Sequence, residues 1–494
     1  MSVTLGLIIA YMVLMLAVSF ISTRMMKRQD TENFLLAGKN LNWVLVGVVI
    51  AGLGIGGVST VGVAENAYTA GLSAGHYLTA WATGAVIFGV FCTKRLKKSI
   101  IVTVIEAMDN AFGRVTGFVV MLAQLFVGFA IFAMQMVAGG AILASLLPDV
   151  FTLQAGMLAS AVIFGAVAII GGLWSAALSN VVNVIVIIVG LIVGVIAVVK
   201  HFGGMETIVA ALPPGISGDG SHWFSFTKGY GWPKIIAQVL SLTVLAHAIQ
   251  TCTQTTIASK DYKQARNGFI FAAVLMFPMG FVSAMLGIVA ASQVPGLESA
   301  KLALPAVVTQ INPWIAGFTL AGLWAADVST ATGLAVGQST MFTRDVMVKY
   351  VRPNMTEKGQ VWVSRVTMLI MIVLGYFFAV NMKGIIDTLM KLLTLWTPIA
   401  VLMFATFAVP KLARKSTGIV VMLGGGAWGI ASMLIPQMVL YNQPIFGTFA
   451  VSVVLWLITA IVDKRPANFE GVFGKSLEEM EAADDPVGVG GEGA

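Results

Sequence analysis

The chain has 494 residues, of which 58% are hydrophobic and only 10% are charged, and its formal net charge at pH 7 is +7. A mean hydropathy of +0.92 excludes an ordinary soluble domain. The two cysteines, Cys92 and Cys252, lie in apolar runs and indicate neither a disulfide framework nor a thiolate metal site. The positive charge does not require a nucleic-acid partner, because the loops of a membrane protein explain it.

Apolar segments that could cross a bilayer recur along the chain, which predicts an all-α integral membrane protein. A spanning helix needs about 20 apolar residues, and roughly 13 segments qualify. The second and the ninth are too long for one straight span, so we expect each to tilt, break or include a loop helix. The segments are 4–24, 42–72, 74–93, 115–146, 153–173, 177–200, 233–258, 267–292, 309–343, 361–381, 385–409, 417–437 and 442–462.

Lysine and arginine are concentrated in alternate loops. The positive-inside rule then predicts a multi-pass protein of the cell (inner) membrane, with its N-terminus outside and its C-terminus in the cytoplasm. We expect residues 1–463 to form one transmembrane domain and residues 464–494 a disordered tail. The first segment is expected to be a retained helix, not a signal peptide. The basic stretches are 24–28, 94–98, 260–266, 344–358, 411–415 and 464–465.

The second segment carries four glycines within six residues, at Gly52, Gly54, Gly56 and Gly57. Each glycine costs a regular helix about 1 kcal/mol relative to alanine. Glycine can serve close helix packing, but unwinding at mid-membrane would free carbonyls to hold a cation. We favour a broken helix. Its outer half carries Glu65, which could bind a solute or could pair locally at the interface.

The seventh segment places His247, Gln250 and Gln254 at i, i+3 and i+7, near one face of a helix. The three side chains are either a polar cavity wall or structural groups satisfied by their neighbours. Gln135 in the fourth segment and Gln338 in the ninth are weaker candidates, since either could bond to a neighbouring helix.

The ninth segment contains a polar cluster in an apolar run. A buried serine or threonine can bond to its own helix backbone, but Asp327 cannot be satisfied in that way, and ionisable residues inside a membrane mark ion or solute pathways. With the broken second segment, the cluster offers about five oxygen ligands for sodium. These are the hydroxyls of Ser329 and Thr330 and the carbonyls of Gly52, Ile55 and Ala326.

Four stretches resemble the sodium:solute symporter family: residues 30–43, 171–180, 254–268 and 325–330, the last closed by residues 343–345. The resemblance implies the inverted-repeat fold of LeuT-type transporters. Its core would contain five plus five helices, with core helix 1 discontinuous. The repeats would span about 42–200 and 233–409.

The resemblance also implies where the ligands bind. Sodium would lie between core helices 1 and 8, on the five oxygen donors named above, and Asp327 could strengthen that site, add proton sensitivity or pair with Lys391. Many family members carry an aspartate where this chain has Asn180, so one sodium per solute is expected. Solute would bind beside the break, near Gly56, Ser59, Glu65, Gln135, His247 and Gln250.

The solute is less closely indicated. Residues 62–65, 101–106 and 339–342 resemble the choline branch of the family, whereas the proline branch typically has an aspartate where this chain has Gly54. Aromatic side chains could form a cation–π wall for an amine, or could belong to the interfacial belt. The aromatic candidates are Trp43, Tyr68, Tyr77, Trp81 and Trp174.

We therefore expect a symporter, with a single chain as transport unit, that uses sodium to take up a small polar organic solute such as an amine, amino acid or carboxylate. A proton-coupled symporter of the same fold and an uncoupled facilitator are the alternatives. An enzyme is not expected, because the four histidines form neither a paired metal-ligand motif nor a nucleophile–base pair.

Overall fold

The computed structural model describes residues 3–23, 31–382 and 385–482, so the predicted basic stretch 24–28 and the last residues of the tail lie outside it. The first helices in chain order are α1 (Val3–Ser22), α2 (Thr31–Leu36), α3 (Trp43–Gly54), α4 (Gly57–Ala70), α5 (His76–Phe91), α6 (Thr93–Lys98), α7 (Val104–Phe112), α8 (Arg114–Leu146), α9 (Leu153–His201) and α10 (Met205–Ala210). They continue with α11 (Gly231–Ala248), α12 (Gln250–Ala258), α13 (Tyr262–Gln293), α14 (Ala303–Val308), α15 (Pro313–Met341), α16 (Glu357–Val380), α17 (Ile385–Phe407), α18 (Thr417–Leu434), α19 (Pro444–Val462), α20 (Phe469–Phe473) and α21 (Leu477–Ala482).

Each predicted membrane segment overlaps one or two of these helices. Within the described ranges, eight helices are long and apolar enough to cross a membrane, and ten when two bent pairs each count as one span. The predicted all-α membrane fold is therefore confirmed, whereas the number of thirteen spans is not confirmed by length and hydropathy.

The second predicted segment is broken, as its glycines indicate. Ile55 (φ −91°, ψ 74°) and Gly56 (φ −114°, ψ −166°) leave the helical region between α3 and α4, and the helix axis bends by 40° there. A helix that ends at Gly54 leaves the carbonyls of its last turn without intrahelical donors. The break therefore supplies free acceptors in the middle of the bundle.

The seventh segment is also broken, which the sequence analysis did not predict. Ile249 is extended (φ −69°, ψ 126°) and separates α11 from α12, with a bend of 51°. The expected single face is wrong for this reason: His247 lies in the last turn of α11, whereas Gln250 and Gln254 belong to the differently directed α12.

The fifth and sixth predicted segments meet at a glycine inside α9. Gly172 has φ 52° and ψ −137°, and a Cβ atom at this position would overlap the carbonyl oxygen of Phe34. Only glycine combines that backbone geometry with so close an approach. The kink divides α9 into two spans, Leu153–Ile170 and Gly172–His201, which overlap the predicted segments 153–173 and 177–200.

The tail differs from its prediction over residues 464–482. This stretch contains α20 and α21, and the amide of Ile100 donates to the carbonyl of Val472 at 2.9 Å. Phe469, Val472 and Phe473 are buried because their i, i+3, i+4 spacing places them on one helix face. Residues 483–494, the rest of the predicted disordered tail, lie outside the described residues.

Helix α15 positions the polar cluster. It packs against α9 and α8 and also contacts α3 and α12, one member of each bent pair. The same helix therefore borders both breaks, and its polar residues lie between them.

Candidate sodium and solute site

Two neighbouring hydroxyls of α15, those of Ser329 and Thr330, contact a carbonyl at the first break. Ser329 Oγ donates to the carbonyl oxygen of Gly52 at 2.8 Å, and Thr330 Oγ1 donates to the same oxygen at 2.7 Å. Thr330 Oγ1 also lies 3.3 Å from the carbonyl oxygen of Leu53. Four oxygens thus converge between α3 and α15, an arrangement that fits a hard cation, which prefers oxygen ligands.

Glycine at position 52 lets α3 approach α15 closely. A Cβ atom there would lie 2.7 Å from Nδ2 of Asn180 and 3.2 Å from Oγ of Ser329. Asn180 therefore flanks the oxygen cluster from α9. It contributes an amide and no negative charge at this position.

The other predicted sodium ligands lie on the same two elements. Ile55 is one of the two non-helical residues of the first break, and Ala326 lies in α15 one turn before Thr330. The side chain of Ala326 is outside the described part of the structure. The structure thus places the sequence-predicted sodium residues at one junction, and their role as ligands remains a prediction.

Asp327 lies on the other side of the break, beside the start of α4. It is fully buried, and a Cβ atom on Gly57 would overlap its Oδ1. The Gly57 amide faces this carboxyl group. The amide itself donates its well-aligned hydrogen bond to Oε1 of Gln135 at 3.1 Å. Lys391, the alternative partner, is an exposed residue of α17, and no ion pair joins the two among the described residues.

A small cavity lies between the two breaks. Its volume is about 20 Å³, which is room for about one water molecule. Gly56, Gln135 and Thr330 supply its polar wall, and Tyr77 and Trp81 supply aromatic faces. The cavity must widen before it can hold an organic solute.

Two further solute candidates lie on α4. Ser59 is buried, and its hydroxyl donates to the carbonyl of Gly56 at 2.9 Å, as does that of Thr60. These bonds satisfy a carbonyl at the start of α4. Glu65 lies farther along α4 and is half-buried.

His247 and Gln250 contact other parts of the molecule. Gln250 Oε1 accepts from the amide of Val104 at 2.9 Å, and its Nε2 donates to the carbonyl of Val102 at 3.0 Å. His247 lines a separate cavity between α11, α17 and α19. Their contact with solute stays a prediction that these positions do not favour.

The aromatic residues predicted to form a cation–π wall also lie in different parts of the molecule. Tyr77 and Trp81 reach the small cavity, whereas Trp43 packs edge-on against Phe271, with ring centroids 5.1 Å apart. The hydroxyl of Tyr68 donates to the carbonyl of Val294 at 2.9 Å. Only part of the proposed aromatic wall therefore faces the junction of the breaks.

A polar network around α7 was missed by the sequence analysis. The guanidinium of Arg344 lies 4.0 Å from a carboxylate oxygen of Glu106, and Lys349 pairs with Asp109. Asp345 is 3% exposed beside this network, and burial raises its pKa to about 7. The two acids spaced three residues apart in α7 were the available signal, because they share one helix face.

Comparison with known proteins shows the family of the chain. The sequence model of the sodium:solute symporter family matches residues 34–415. The chain belongs to this family.

Curated relatives of the symporter are transporters. A sodium/glucose cotransporter from Vibrio parahaemolyticus is 23% identical over 391 residues, which are 72% of this chain and 70% of that protein. The human high affinity choline transporter 1 is 24% identical over 365 residues, 69% of this chain and 60% of that protein. The expectation of a transporter, not an enzyme, is confirmed at this level.

Solved structures show the fold. The symporter resembles a Na⁺-coupled sialic acid symporter in a substrate-bound, outward-open state, with a TM-score of 0.77 at 14% identity over 94% of this chain and 98% of that one. The expected LeuT-type architecture is thereby confirmed, and family membership supports sodium as the coupling ion.

Proposed function

We propose that the symporter couples sodium entry to the uptake of a small polar organic solute. The main observation in support is that the hydroxyls of Ser329 and Thr330 both contact the carbonyl oxygen of Gly52, at 2.8 and 2.7 Å. Sodium bound there would replace these two hydrogen bonds and hold α3 against α15. Such coupling works only if sodium binds the outward-open and inward-open states with different affinity.

Solute binds in the widened cavity between the breaks, beside Gly56 and Gln135. The start of α4 carries the positive end of a helix dipole, which would otherwise favour a solute carboxylate. Asp327 already places a carboxyl group against this helix start. Together with the rings of Tyr77 and Trp81 in the cavity wall, this arrangement favours a solute amine over a carboxylate.

Orientation and assembly belong to the same proposal. The distribution of basic residues in the loops supports an external N-terminus and a cytoplasmic C-terminus in the cell (inner) membrane. One chain contains both breaks and the whole oxygen cluster, which supports a single chain as the transport unit.

Uptake into proteoliposomes tests the proposal. Radiolabelled choline, proline and a short monocarboxylate are each offered under an inward sodium gradient, an inward proton gradient and no gradient. We expect concentrative uptake of the amine under the sodium gradient. Accumulation driven by the proton gradient alone would establish proton coupling, and equilibration without accumulation would establish a facilitator.

A further inference from the structure

A second cavity lies on the opposite face of α11 from the small cavity at the breaks. Its volume is about 310 Å³, at the lower end of the range for small-molecule sites. Thr243 and His247 of α11 line it, whereas Leu245 and Ile249 line the small cavity. Since positions two residues apart in a helix point about 200° apart, the two cavities are separated by α11 itself.

The walls of this second cavity are apolar, apart from one end. Helices α17 and α19 form most of the lining, through Ala400, Val401, Phe404, Phe449, Val453 and Trp456. The ring of His247 lies edge-on to Phe88 at 5.3 Å and is tilted against Phe404 at 5.8 Å. Because Phe404, Phe449 and Val453 are half-buried, the cavity opens on the outer surface of the bundle, which faces lipid.

The polar end has a defined hydrogen-bonding capacity. His247 Nδ1 lies 2.8 Å from the carbonyl oxygen of Thr243. A carbonyl can only accept, so Nδ1 carries the proton, and Nε2 of the neutral ring is an acceptor. His247 is 2% exposed, and neither its Nε2 nor Thr243 Oγ1 has a partner among the described residues.

Leaving two buried polar atoms unsatisfied costs roughly 1–3 kcal/mol each. A hydroxyl group matches both, because it can donate to His247 Nε2 and accept from the hydroxyl of Thr243. No charged side chain belongs to the lining described above, so a charged head group would be buried without a counter-charge.

We propose that this cavity binds an uncharged amphiphile from the bilayer, a hydrocarbon chain that ends in a hydroxyl group. The hydroxyl bridges His247 and Thr243, and the chain lies against Phe404, Phe449 and Val453. The ligand contacts α11 just before its break and braces it against α17 and α19. Its site is separate from the proposed solute site.

A photoactivatable long-chain alcohol tests this site, with the matching alkane that lacks the hydroxyl as the control probe. The full-length symporter is labelled in proteoliposomes, and the modified peptides are identified by mass spectrometry. We expect the alcohol to label α11, α17 or α19 at this cavity, and the alkane to label it about five- to tenfold less, the effect of one or two hydrogen bonds.

Two variants sharpen the test. Thr243→Val keeps the side-chain shape and removes the hydroxyl, so it should lower alcohol labelling several-fold and leave alkane labelling unchanged. Val453→Phe fills the cavity and should abolish labelling by both probes. Equal labelling by alcohol and alkane, alcohol labelling unchanged in Thr243→Val, or displacement of the probe by transported solute would each overturn the proposal.

Discussion

The two helix breaks differ in what satisfies their backbone. At the first, between α3 and α4, hydroxyls of α15 satisfy Gly52, and hydroxyl groups can turn to face an ion. At the second, between α11 and α12, the carbonyl of Ala248 accepts from Nε2 of Gln124 at 2.6 Å, and Gln250 bonds to the backbone of Val102 and of Val104, the first residue of α7. At the first break the hydroxyl partners of the backbone can be replaced by an ion. At the second break glutamine side chains hold the backbone through fixed hydrogen bonds.

The largest expected effect is at the first break. Removing both hydroxyls in Ser329→Ala with Thr330→Val should abolish sodium-stimulated uptake, and each single change should raise the half-activating sodium concentration about tenfold, the effect of roughly 1.4 kcal/mol. Sodium titration of uptake measures this. The matched control is Thr251→Val, since Thr251 Oγ1 donates to the carbonyl of Gly333 on α15 at 3.2 Å but at the second break. An equal shift in that control would remove the distinction between the breaks.

Gly57→Ala should have the next largest effect. The added Cβ would overlap Asp327 and Ala138, and such overpacking costs about 1–3 kcal/mol. We expect a lower unfolding temperature and uptake reduced about tenfold or more. In the control, Gly426→Ala, the added Cβ meets nothing within 4 Å, and the helix should gain slightly. Wild-type stability and uptake in Gly57→Ala would contradict the close approach of α4 to α15.

Gln250→Ala distinguishes a structural role of Gln250, through its hydrogen bonds at the second break, from contact with the solute. It removes both hydrogen bonds to Val102 and Val104, so we expect a loss of about 1–3 kcal/mol in unfolding free energy and an unchanged half-activating sodium concentration. Thermal unfolding and uptake are measured on the same preparation. A fall in solute affinity with unchanged stability would instead restore the sequence-based assignment of Gln250 to the solute site.

The smallest expected effect concerns Asp345 near α7. Burial raises its pKa to about 7, against the lowering effect of a hydrogen bond with Thr103; the charge of Glu106 adds to the rise, and those of Lys349 and Arg344 oppose it. Because folding favours the neutral acid, its contribution to stability is greatest below the ordinary pKa of 3.8 and is lost as the pH rises through about 7. Unfolding temperature should therefore fall between pH 4 and pH 8 less steeply in Asp345→Asn than in the wild type. Identical pH profiles would contradict this.

The sequence predicted the first break better than the second because their signals differ. Glycines at positions 52, 54, 56 and 57 each disfavour a helix, so their combined cost predicts a break from the sequence alone. The second break occurs at Ile249, an ordinary helix residue, and only the threonine-rich run after it distinguishes α12. Its geometry depends on tertiary partners such as Gln124, which lies 124 positions from Ala248 in the chain.

The candidate site was predicted unevenly for a similar reason. Ser329 and Thr330 are adjacent in α15, and their joint position follows from helix periodicity. Asp327 lies beside the start of α4 because Gly57 approaches it closely. This contact joins residues far apart in the chain, so no local sequence pattern predicts it. His247 points in a different direction from Gln250 and Gln254 because the break at Ile249, which was not predicted, lies between them.

Direct binding of radioactive sodium to the purified symporter tests the central claim, that the first break holds the coupling ion. We predict saturable sodium binding in the wild type and in Thr251→Val, and a loss of about tenfold or more in affinity in Thr330→Val. Wild-type sodium affinity in Thr330→Val, or an equal loss in both variants, would show that the ion is held elsewhere.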